Sequence, residues 1–490
     1  MPEAPHVVVV GGGISGLTAA YRLNARGVAT TVLEAAEVPG GKLRASPIAG
    51  VSVDVGAEAV LARRPEALEL FSELGLEEQV VHPGPGSAAI YSRGRLRSLP
   101  QGQLMGVPGD LRALARSGVL SPVGTLRAAL DLVWPSTRTR SDVPVSTYVG
   151  VRMGRQVVER LVEPLLGGVY AGRAEELSLD STLPQIAPMA RSDRSLMKAV
   201  HHSLKGRGAA PTKAGPVFAS LRGGVASVVD ALATRQKDLR TGVRARALGR
   251  TEKGWSVRLE GAQGAESIEC DAVLLACPAP EAARLLAGLE PAAAHELDGI
   301  EYASMALVTF ALPASAFPEP LSGSGFLVPA GEGPTIKAAT FSSNKWPWLA
   351  QELDRVDPGA DLVVLRCSIG RFRDVAVLNR SDEELASLAL ADLARVTGVE
   401  GSPVQTRVTR WVDGLPQYAV GHAGRVERIR TAVERHAGLG VCGAAYSGVG
   451  IPACIADAGR AAARLADAVH EHTSHGAQSA EGTNQQGVNP

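Results

Sequence analysis

The stretch HVVVVGGGISGLTAAYRLNARGVATTVLEA, residues 6–35, predicts a strand, a glycine turn, a helix and a second strand. Val7–Val10 is a run of β-branched residues, which is typical of a strand buried on both faces. Apolar residues then recur at helical spacing from Ile14 to Leu23, and Thr30–Leu33 predicts the next strand. This order predicts a doubly wound α/β unit with a parallel sheet.

The glycines of the turn have the spacing of a dinucleotide-binding motif. Gly11 allows the tight turn, Gly13 allows the backbone to approach a pyrophosphate, and Gly16 allows the helix to pack closely on the strand. Glu34 ends the second strand, where a carboxylate can accept hydrogen bonds from a ribose and would repel a 2′-phosphate. The motif therefore disfavours NADP and leaves FAD and NAD open; the alternative is a glycine turn without a ligand.

Two segments that follow favour FAD. EAAEVPGGKLRA, residues 34–45, places Gly40, Gly41 and Lys42 after the acidic strand end, and VDVGAEAVL follows at residues 53–61. Both segments resemble blocks found in FAD-dependent oxidases and desaturases of the amine oxidase type. In those enzymes the first block continues along the pyrophosphate and the ribityl chain.

A second glycine turn, GVCGAAYSGVGIPACIADAGRAA, occurs at residues 440–462. It predicts a short strand, a turn containing Gly448 and Gly450, and a helix with Pro452 in its first turn. We expect this segment to return to the first turn, so that the two turns bind opposite ends of one cofactor. The helix start would place positive charge near the redox-active ring.

Composition and charge exclude several classes of protein. The 490 residues carry 50 basic and 50 acidic side chains, so no net charge attracts nucleic acid or an anionic membrane. The five cysteines have no CxxC spacing, which predicts reduced thiols and no metal site. We expect a cytoplasmic protein whose membrane contact is at most peripheral.

The order of patterns predicts an FAD-binding domain assembled from separate segments. The predicted units are the first FAD segment (1–85), a hairpin with a mostly helical insertion (86–200), a flexible loop (201–217), the second FAD segment (218–286), an antiparallel substrate domain (287–410), the third FAD segment (411–470) and a disordered tail (471–490).

Several further blocks resemble one family within these flavoproteins. They include LVEPLLGGVYAGRAEELSL (161–179), IKAATFSSNKWP (336–347) and RWVDGLPQYAVGH (410–422). Together, in this order over residues 5–470, they resemble the coproporphyrinogen III oxidase and protoporphyrinogen oxidase family. The resemblance favours the coproporphyrinogen III enzymes of Gram-positive bacteria and leaves protoporphyrinogen IX as the alternative substrate.

The resemblance implies a reaction and a set of partners. A porphyrinogen would lose six electrons in three hydride transfers to flavin N5, and dioxygen would be reduced to hydrogen peroxide in haem biosynthesis. Coproporphyrinogen III and dioxygen would be the substrates, and a ferrochelatase would receive the product. More remote alternatives are an amine oxidase, a carotenoid desaturase and a non-catalytic flavin-binding or haem-chaperone protein.

The motifs and the resemblance give two sets of candidate residues. The cofactor set is Gly11, Gly13, Ile14, Ser15, Gly16, Glu34, Ala35, Gly41, Lys42, Gly56, Ala57, Glu58, Val243, Ala276, Trp411, Gly443, Gly448, Val449, Gly450 and Ile451. The substrate set is Tyr170, Phe326 and Tyr418 for the macrocycle and Arg93, Arg95, Arg97 and Lys345 for its carboxylates.

No side chain is assigned as a catalytic base, because the flavin would carry the electrons. His201 and His202 are adjacent in the chain and are not expected to bind one metal ion. His422 is expected near the active site in a structural role. Some relatives have a basic residue where this chain has Ala88, so carboxylate recognition is expected to lie elsewhere.

Overall fold

The computed structural model of the protein describes residues 4–135, 137, 139–208, 216–252, 254–261 and 264–484. The strands are β1 (His6–Val10), β2 (Ala29–Leu33), β3 (Ala45–Ile48), β4 (Val51–Asp54), β5 (Val60–Leu61), β6 (Val80–Val81), β7 (Ala89–Ser92), β8 (Arg95–Ser98), β9 (Gln103–Leu104), β10 (Val107–Pro108), β11 (Phe218–Leu221), β12 (Asp238–Arg240), β13 (Arg244–Thr251), β14 (Gly254–Gly261), β15 (Gly264–Cys270), β16 (Ala272–Leu275), β17 (Tyr302–Pro313), β18 (Gly325–Leu327), β19 (Ile336–Thr340), β20 (Leu362–Ile369), β21 (Gln405–Pro416) and β22 (Leu439–Val441).

The α-helices are α1 (Ile14–Asn24), α2 (Pro65–Glu73), α3 (Leu111–Ser117), α4 (Pro122–Ala129), α5 (Val145–Met153), α6 (Arg155–Val157), α7 (Glu163–Tyr170), α8 (Leu179–Thr182), α9 (Ala187–Ser192), α10 (Leu196–Gly208), α11 (Ser227–Ala233), α12 (Ala279–Leu286), α13 (Pro291–Asp298), α14 (Ser342–Lys345), α15 (Pro347–Val356), α16 (Asp382–Thr397), α17 (His422–Glu434) and α18 (Ile451–Asn484).

A five-stranded parallel sheet, in the order β12-β2-β1-β16-β22, forms the first domain. Val7 and Val9 face a core under α1, α2, α11 and α18, whereas Val8 and Val10 face a second core under the β13–β15 meander, α12, α13 and α17. All four side chains are buried, which explains the uninterrupted apolar run. The predicted α/β fold is confirmed, and its sheet is assembled from three separate parts of the chain.

A seven-stranded, largely antiparallel sheet, in the order β21-β17-β20-β19-β18-β7-β8, forms the second domain. The predicted hairpin consists of β7 and β8 and turns at Arg93 and Gly94, which both have positive φ. We assigned this hairpin to the helical insertion, which was wrong. It extends the substrate sheet because β7 pairs in parallel with β18.

The predicted insertion consists of α3–α10, which pack around a core of their own. Ser121 caps α4 and Pro122 occupies its first turn, so the proline starts a helix rather than breaking one. The flexible loop predicted for 201–217 was wrong over residues 201–208, because α10 continues to Gly208. Residues 209–215 of that prediction lie outside the described part of the chain.

The disorder predicted from residue 471 was also wrong, because α18 extends from Ile451 to Asn484. The first part of α18 packs against α1 through Ile455, Ala458 and Ala462. Residues 485–490 are not described. Within the described ranges, no helix is long and apolar enough to cross a membrane.

The first glycine turn is held by close backbone contacts. A Cβ added to Gly16 would overlap the carbonyl oxygen of Gly11, and one added to Gly11, where φ is +113°, would lie 2.8 Å from the carbonyl oxygen of Ala276. Side chains at these two positions would therefore separate β1, α1 and the strand end at Ala276.

We expect Gly16→Ala to lower the free energy of unfolding by about 3 kcal/mol, because the new methyl group must displace backbone. Gly459→Ala is the matched control, since its added Cβ would meet nothing within 4 Å. It should raise stability by about 0.5–1 kcal/mol through helix propensity. Urea denaturation measures both, and equal midpoints for the two variants would contradict the contact described here.

Candidate cofactor and substrate site

The strands β1, β16 and β22 end at the same edge of the parallel sheet, so the segments that follow them meet there. β1 is followed directly by Gly11 and β16 by Ala276, and Gly443 lies two residues after the end of β22. A Cβ added to Gly443 would lie 3.9 Å from Ser15 Oγ and 4.0 Å from the carbonyl oxygen of Ala276. The two glycine turns therefore meet at one place, as the sequence predicted.

Gly40 and Gly41 close the first turn from the other side. The amide of Gly40 donates to the carbonyl of Gly12 at 2.8 Å, and a Cβ added to Gly41 would lie 3.4 Å from Gly13 Cα. A Cβ added to Gly13 would meet only Gly41 Cα, at 4.0 Å. This arrangement leaves a cradle of bare backbone beside the first turn of α1, whose N–H groups have no acceptor within the helix.

Glu34 lies at the end of β2 beside this cradle. Its carboxylate accepts hydrogen bonds from the amides of Gly12 and Ala36, each at 2.8 Å. The amide of Val243 donates to the carbonyl of Glu34 at 2.9 Å, so Val243 lies beside Glu34 and the next residue, Ala35. The acidic side chain is thus held next to the glycine turn, where the sequence predicts that it binds the ribose of the cofactor.

The second glycine turn is held by two buried side chains, Asp457 and Tyr418. Asp457, 2% exposed, accepts from the amide of Gly443 at 3.1 Å and pairs with Arg430 at 2.6 Å. The hydroxyl of Tyr418 donates to the carbonyl of Ala444 at 2.6 Å and accepts from the amide of Gly448 at 2.8 Å.

The N-terminus of α18 follows this turn at Ile451. Val449 and Ile451 pack into different cores, the first against the insertion and the second against α1. A Cβ added to Gly450 would meet only Pro452 Cδ, at 3.9 Å, so packing does not require glycine there. Lys42 lies close to Cys454 in the first turn of α18, and its burial lowers its pKa.

The segment from Asp54 to Glu58 joins the two domains. Gly56 passes so close to the carbonyl of Lys42 that a side chain would not fit. From the seven-stranded sheet, Trp411 Nε1 donates to the carbonyl of Val55 at 2.8 Å, and Arg366 donates to the carbonyls of Asp54 and Gly56. Ala57 lies in the same joint, where its amide is 3.4 Å from the carbonyl of Lys42.

Glu58 is part of this joint and not of the cradle surface. Its carboxylate forms buried ion pairs with Lys345 and with Arg366, the latter at 2.7 Å. Burial alone would raise the pKa of Glu58, but the charges of Arg366 and Lys345 outweigh burial and lower it to about 2. Asp54 accepts from the amides of Val225 and Ala226, and burial raises its pKa to about 7.

A family model for flavin-containing amine oxidoreductases matches residues 14–466 of this chain. The chain belongs to that family. It is therefore an oxidoreductase with a flavin cofactor, and the cradle of bare backbone, the free helix N-terminus and Glu34 are a donor set that fits such a group.

Relatives over nearly the whole chain are porphyrinogen oxidases by name. A coproporphyrinogen III oxidase of Mycobacterium bovis is 39% identical over 468 residues, which cover 94% of this chain and 97% of the relative. One of Bacillus subtilis is 32% identical and covers 93% and 97%. A crystal structure from Exiguobacterium, named provisionally as a protoporphyrinogen oxidase, superposes with a TM-score of 0.81 at 31% identity, covering 95% and 99%.

The structure brings two of the predicted aromatic residues together. Tyr170 and Tyr418 have ring centroids 5.6 Å apart, and Tyr418 stacks on His422 at 3.9 Å. Burial lowers the pKa of His422 to about 4, so this imidazole is neutral at pH 7 and supports the tyrosine. Phe326 does not join this pair; it is 1% exposed in a different core, under α16, and its contact with substrate stays a prediction.

The predicted carboxylate-binding cations lie in two places. Lys345 is paired with Glu58 inside the domain joint, so its predicted role towards a carboxylate was wrong. Arg93, Arg95 and Arg97 lie on the hairpin at the edge of the sheet. The guanidinium groups of Arg93 and Arg97 donate to nearby carbonyls, those of Leu120 and Ser92.

Sequence reasoning missed four residues that the structure makes prominent: Asp457, Arg366, Lys337 and Arg371. Lys337 and Arg371 lie in or beside blocks that carried the family resemblance, and a lysine inside an apolar strand was the available signal. Among the described residues, no group of three or more His, Cys, Asp or Glu side chains could hold a metal ion.

We expect Glu58→Gln to lower the free energy of unfolding by about 3 kcal/mol at pH 7, because two buried cations lose their partner. The pKa of Glu58 is lower in the folded protein than its ordinary 4.5, so its contribution is present above that pH and is lost as the pH falls towards 2. The difference between wild type and variant should therefore shrink below about pH 5.

Chemical denaturation at several pH values measures this difference. The control is Glu260→Gln, which removes a half-exposed partner of Arg246 and should cost less than about 1 kcal/mol. A pH-independent difference for Glu58→Gln would contradict the ion-pair account.

We expect Tyr418→Phe to weaken flavin binding about tenfold, because the half-buried amide of Gly448 loses its acceptor and the second glycine turn loosens. Flavin fluorescence on titration of the cofactor-free protein measures the affinity. The control is Tyr21→Phe, which removes the hydroxyl of a partly buried tyrosine of α1 and should leave the flavin affinity unchanged. Equal affinities for Tyr418→Phe and wild type would mean that this turn does not bind the cofactor.

Proposed function

We propose that this protein is an FAD-dependent oxidase that converts coproporphyrinogen III to coproporphyrin III. The observation that carries the proposal is the full-length identity of 39% to a coproporphyrinogen III oxidase, with both glycine turns intact. The substrate would lose six electrons in three two-electron steps, and dioxygen would accept them to give hydrogen peroxide.

FAD is favoured over a shorter flavin because one glycine turn suits the pyrophosphate and the other suits the flavin ring. Gly11, Gly13 and the N–H groups of Ile14, Ser15 and Gly16 suit a pyrophosphate, and Glu34 suits the hydroxyls of a ribose. The second turn is more than 400 residues away in the sequence but adjacent in space, where Gly443 lies beside Ser15, and it suits the ring end. Bound FAD would supply the hydride acceptor.

The chain's own residues would position the groups and provide charge. The N-terminus of α18 and Lys42 both place positive charge beside the second turn, where negative charge on the ring would be stabilised. Tyr418 and Asp457 fix the backbone of that turn through Gly448 and Gly443. No side-chain base is assigned, since His422 is buried and stacked on Tyr418.

Protoporphyrinogen IX is the second candidate substrate, favoured by the Exiguobacterium structure at 31% identity. The two reactions remove the same six electrons from similar rings, and the substrates differ in carrying four or two propionates. A preference for the four-propionate ring would therefore depend on cations that bind the propionates at the edge of the ring. A cytoplasmic location, and a ferrochelatase that takes up the product, are parts of the same proposal.

The test is turnover of each purified porphyrinogen under air. We expect porphyrin fluorescence and hydrogen peroxide from coproporphyrinogen III, with a kcat/KM at least tenfold above that for protoporphyrinogen IX. A reaction without protein is the control for spontaneous oxidation. A higher kcat/KM for protoporphyrinogen IX would transfer the proposal to that substrate, and a flavin-loaded protein that oxidises neither would overturn it.

A further inference from the structure

A cavity of about 260 Å³ lies between α7 and the loop after β18. Its walls are partly apolar, because Pro164, Val328 and Phe372 line it together with charged side chains. Pockets for whole drug-sized ligands span roughly 300–1,000 Å³, so this cavity suits one side chain of a macrocycle and not the ring itself.

Lys337, on β19, lines this cavity. Its side chain is 5% exposed, and its Nζ has no hydrogen-bond acceptor among the described residues. Burial, together with the charge of Arg371, lowers the pKa of Lys337 to about 7. A buried cation without an acceptor is costly, and a perturbed group of this kind in a cavity is a candidate for binding a ligand that supplies the missing partner.

Both basic and acidic side chains surround Lys337 in this cavity. Arg371 and Arg173 line the cavity with it, as do the carboxylates of Glu163 and Asp374. Arg371 is held in place because its Nη2 donates to the carbonyl of Val328 at 2.9 Å. The lining thus carries three basic and two acidic side chains, Arg173 also pairs with Glu175 at 3.3 Å, and burial raises the pKa of Glu163.

The cavity is connected to the second glycine turn through a short series of contacts. The amide of Phe372 donates to the carbonyl of Ala171 at 2.7 Å, and Ala171 directly follows Tyr170. Tyr170 packs on Tyr418, whose hydroxyl accepts from the amide of Gly448. A ring placed against the second turn would thus have the cavity on the side of the insertion.

We infer that Lys337 and Arg371 bind one propionate side chain of the porphyrinogen within this cavity. The inference rests on the proposed function and adds the residues that recognise the substrate's carboxylates. The two methylene groups of a propionate suit the apolar walls, and its carboxylate supplies the acceptor that Lys337 lacks. Arg93, Arg95 and Arg97, which the sequence favoured for this role, do not line the cavity.

The test is Lys337→Met, which keeps the length of the side chain and removes its charge. Fluorescence titration of the flavin-loaded protein with coproporphyrin III should give a Kd about 10- to 100-fold above that of wild type. The KM for coproporphyrinogen III should rise similarly, with kcat within threefold. Coproporphyrin tetramethyl ester, which lacks the carboxylates, should bind both proteins equally.

Two controls separate this role from a structural one. Lys198→Met makes the same substitution at an exposed lysine of α10 and should bind coproporphyrin III as wild type does. Ligand-free Lys337→Met should melt at the same temperature as wild type or higher, because it removes an unpaired buried charge. If it does not fold, Arg371→Gln carries the same expectation for Kd and KM.

The outcomes distinguish this inference from the proposed function. Wild-type affinity of Lys337→Met for coproporphyrin III would overturn the inference and leave the proposed function intact. Millimolar sodium propionate is the second probe. If it raises the melting temperature of wild type as much as coproporphyrin III does, the cavity binds a free small carboxylate and the inference is overturned. A wild-type protein that neither binds nor oxidises a porphyrinogen would overturn both.

Discussion

Three strands of the parallel sheet end at one edge, and the backbones that follow them lie in direct contact because the residues there lack a Cβ. Gly16 lies against the carbonyl of Gly11, Gly11 against that of Ala276, and Gly443 near both Ala276 and Ser15. Parts of the chain more than 400 residues apart therefore form one continuous surface of backbone. A single methyl group at Gly16 or Gly11 would separate these elements.

The second domain is joined to this surface by charge and hydrogen bonding as well as by an apolar core that includes Val53 and Val364. The segment from Asp54 to Glu58 presents carbonyl groups to Arg366 and Trp411, and its last carboxylate pairs with Lys345 and Arg366. Buried ion pairs of this kind contribute little net stability compared with apolar residues, but they require one geometry. They fix how the seven-stranded sheet lies against the cofactor-binding edge.

The insertion meets the same edge through Tyr170 and Tyr418. The hydroxyl of Tyr418 supports the second glycine turn, and its ring stacks on His422, so one side chain connects the insertion, α17 and the turn. Within the described residues, Lys337 is the buried ammonium that lacks an acceptor. Lys337 is thus a buried charge without a partner beside a cavity, whereas the carboxylate of Glu58 in the joint is paired with two cations.

The sequence by itself determined the parallel unit, because an uninterrupted apolar run and the glycine spacing act over a few residues and have local causes. Val7–Val10, the first turn, Glu34 and the hairpin turn at Arg93 and Gly94 could all be predicted. The tertiary structure decided the pairing of distant charges. Lys345 and Glu58 are 287 residues apart, and only the docking of the sheets makes them partners. At Lys337 a register shift between Ile336 and Ala338 re-aims the side chain, which no periodicity in the sequence records.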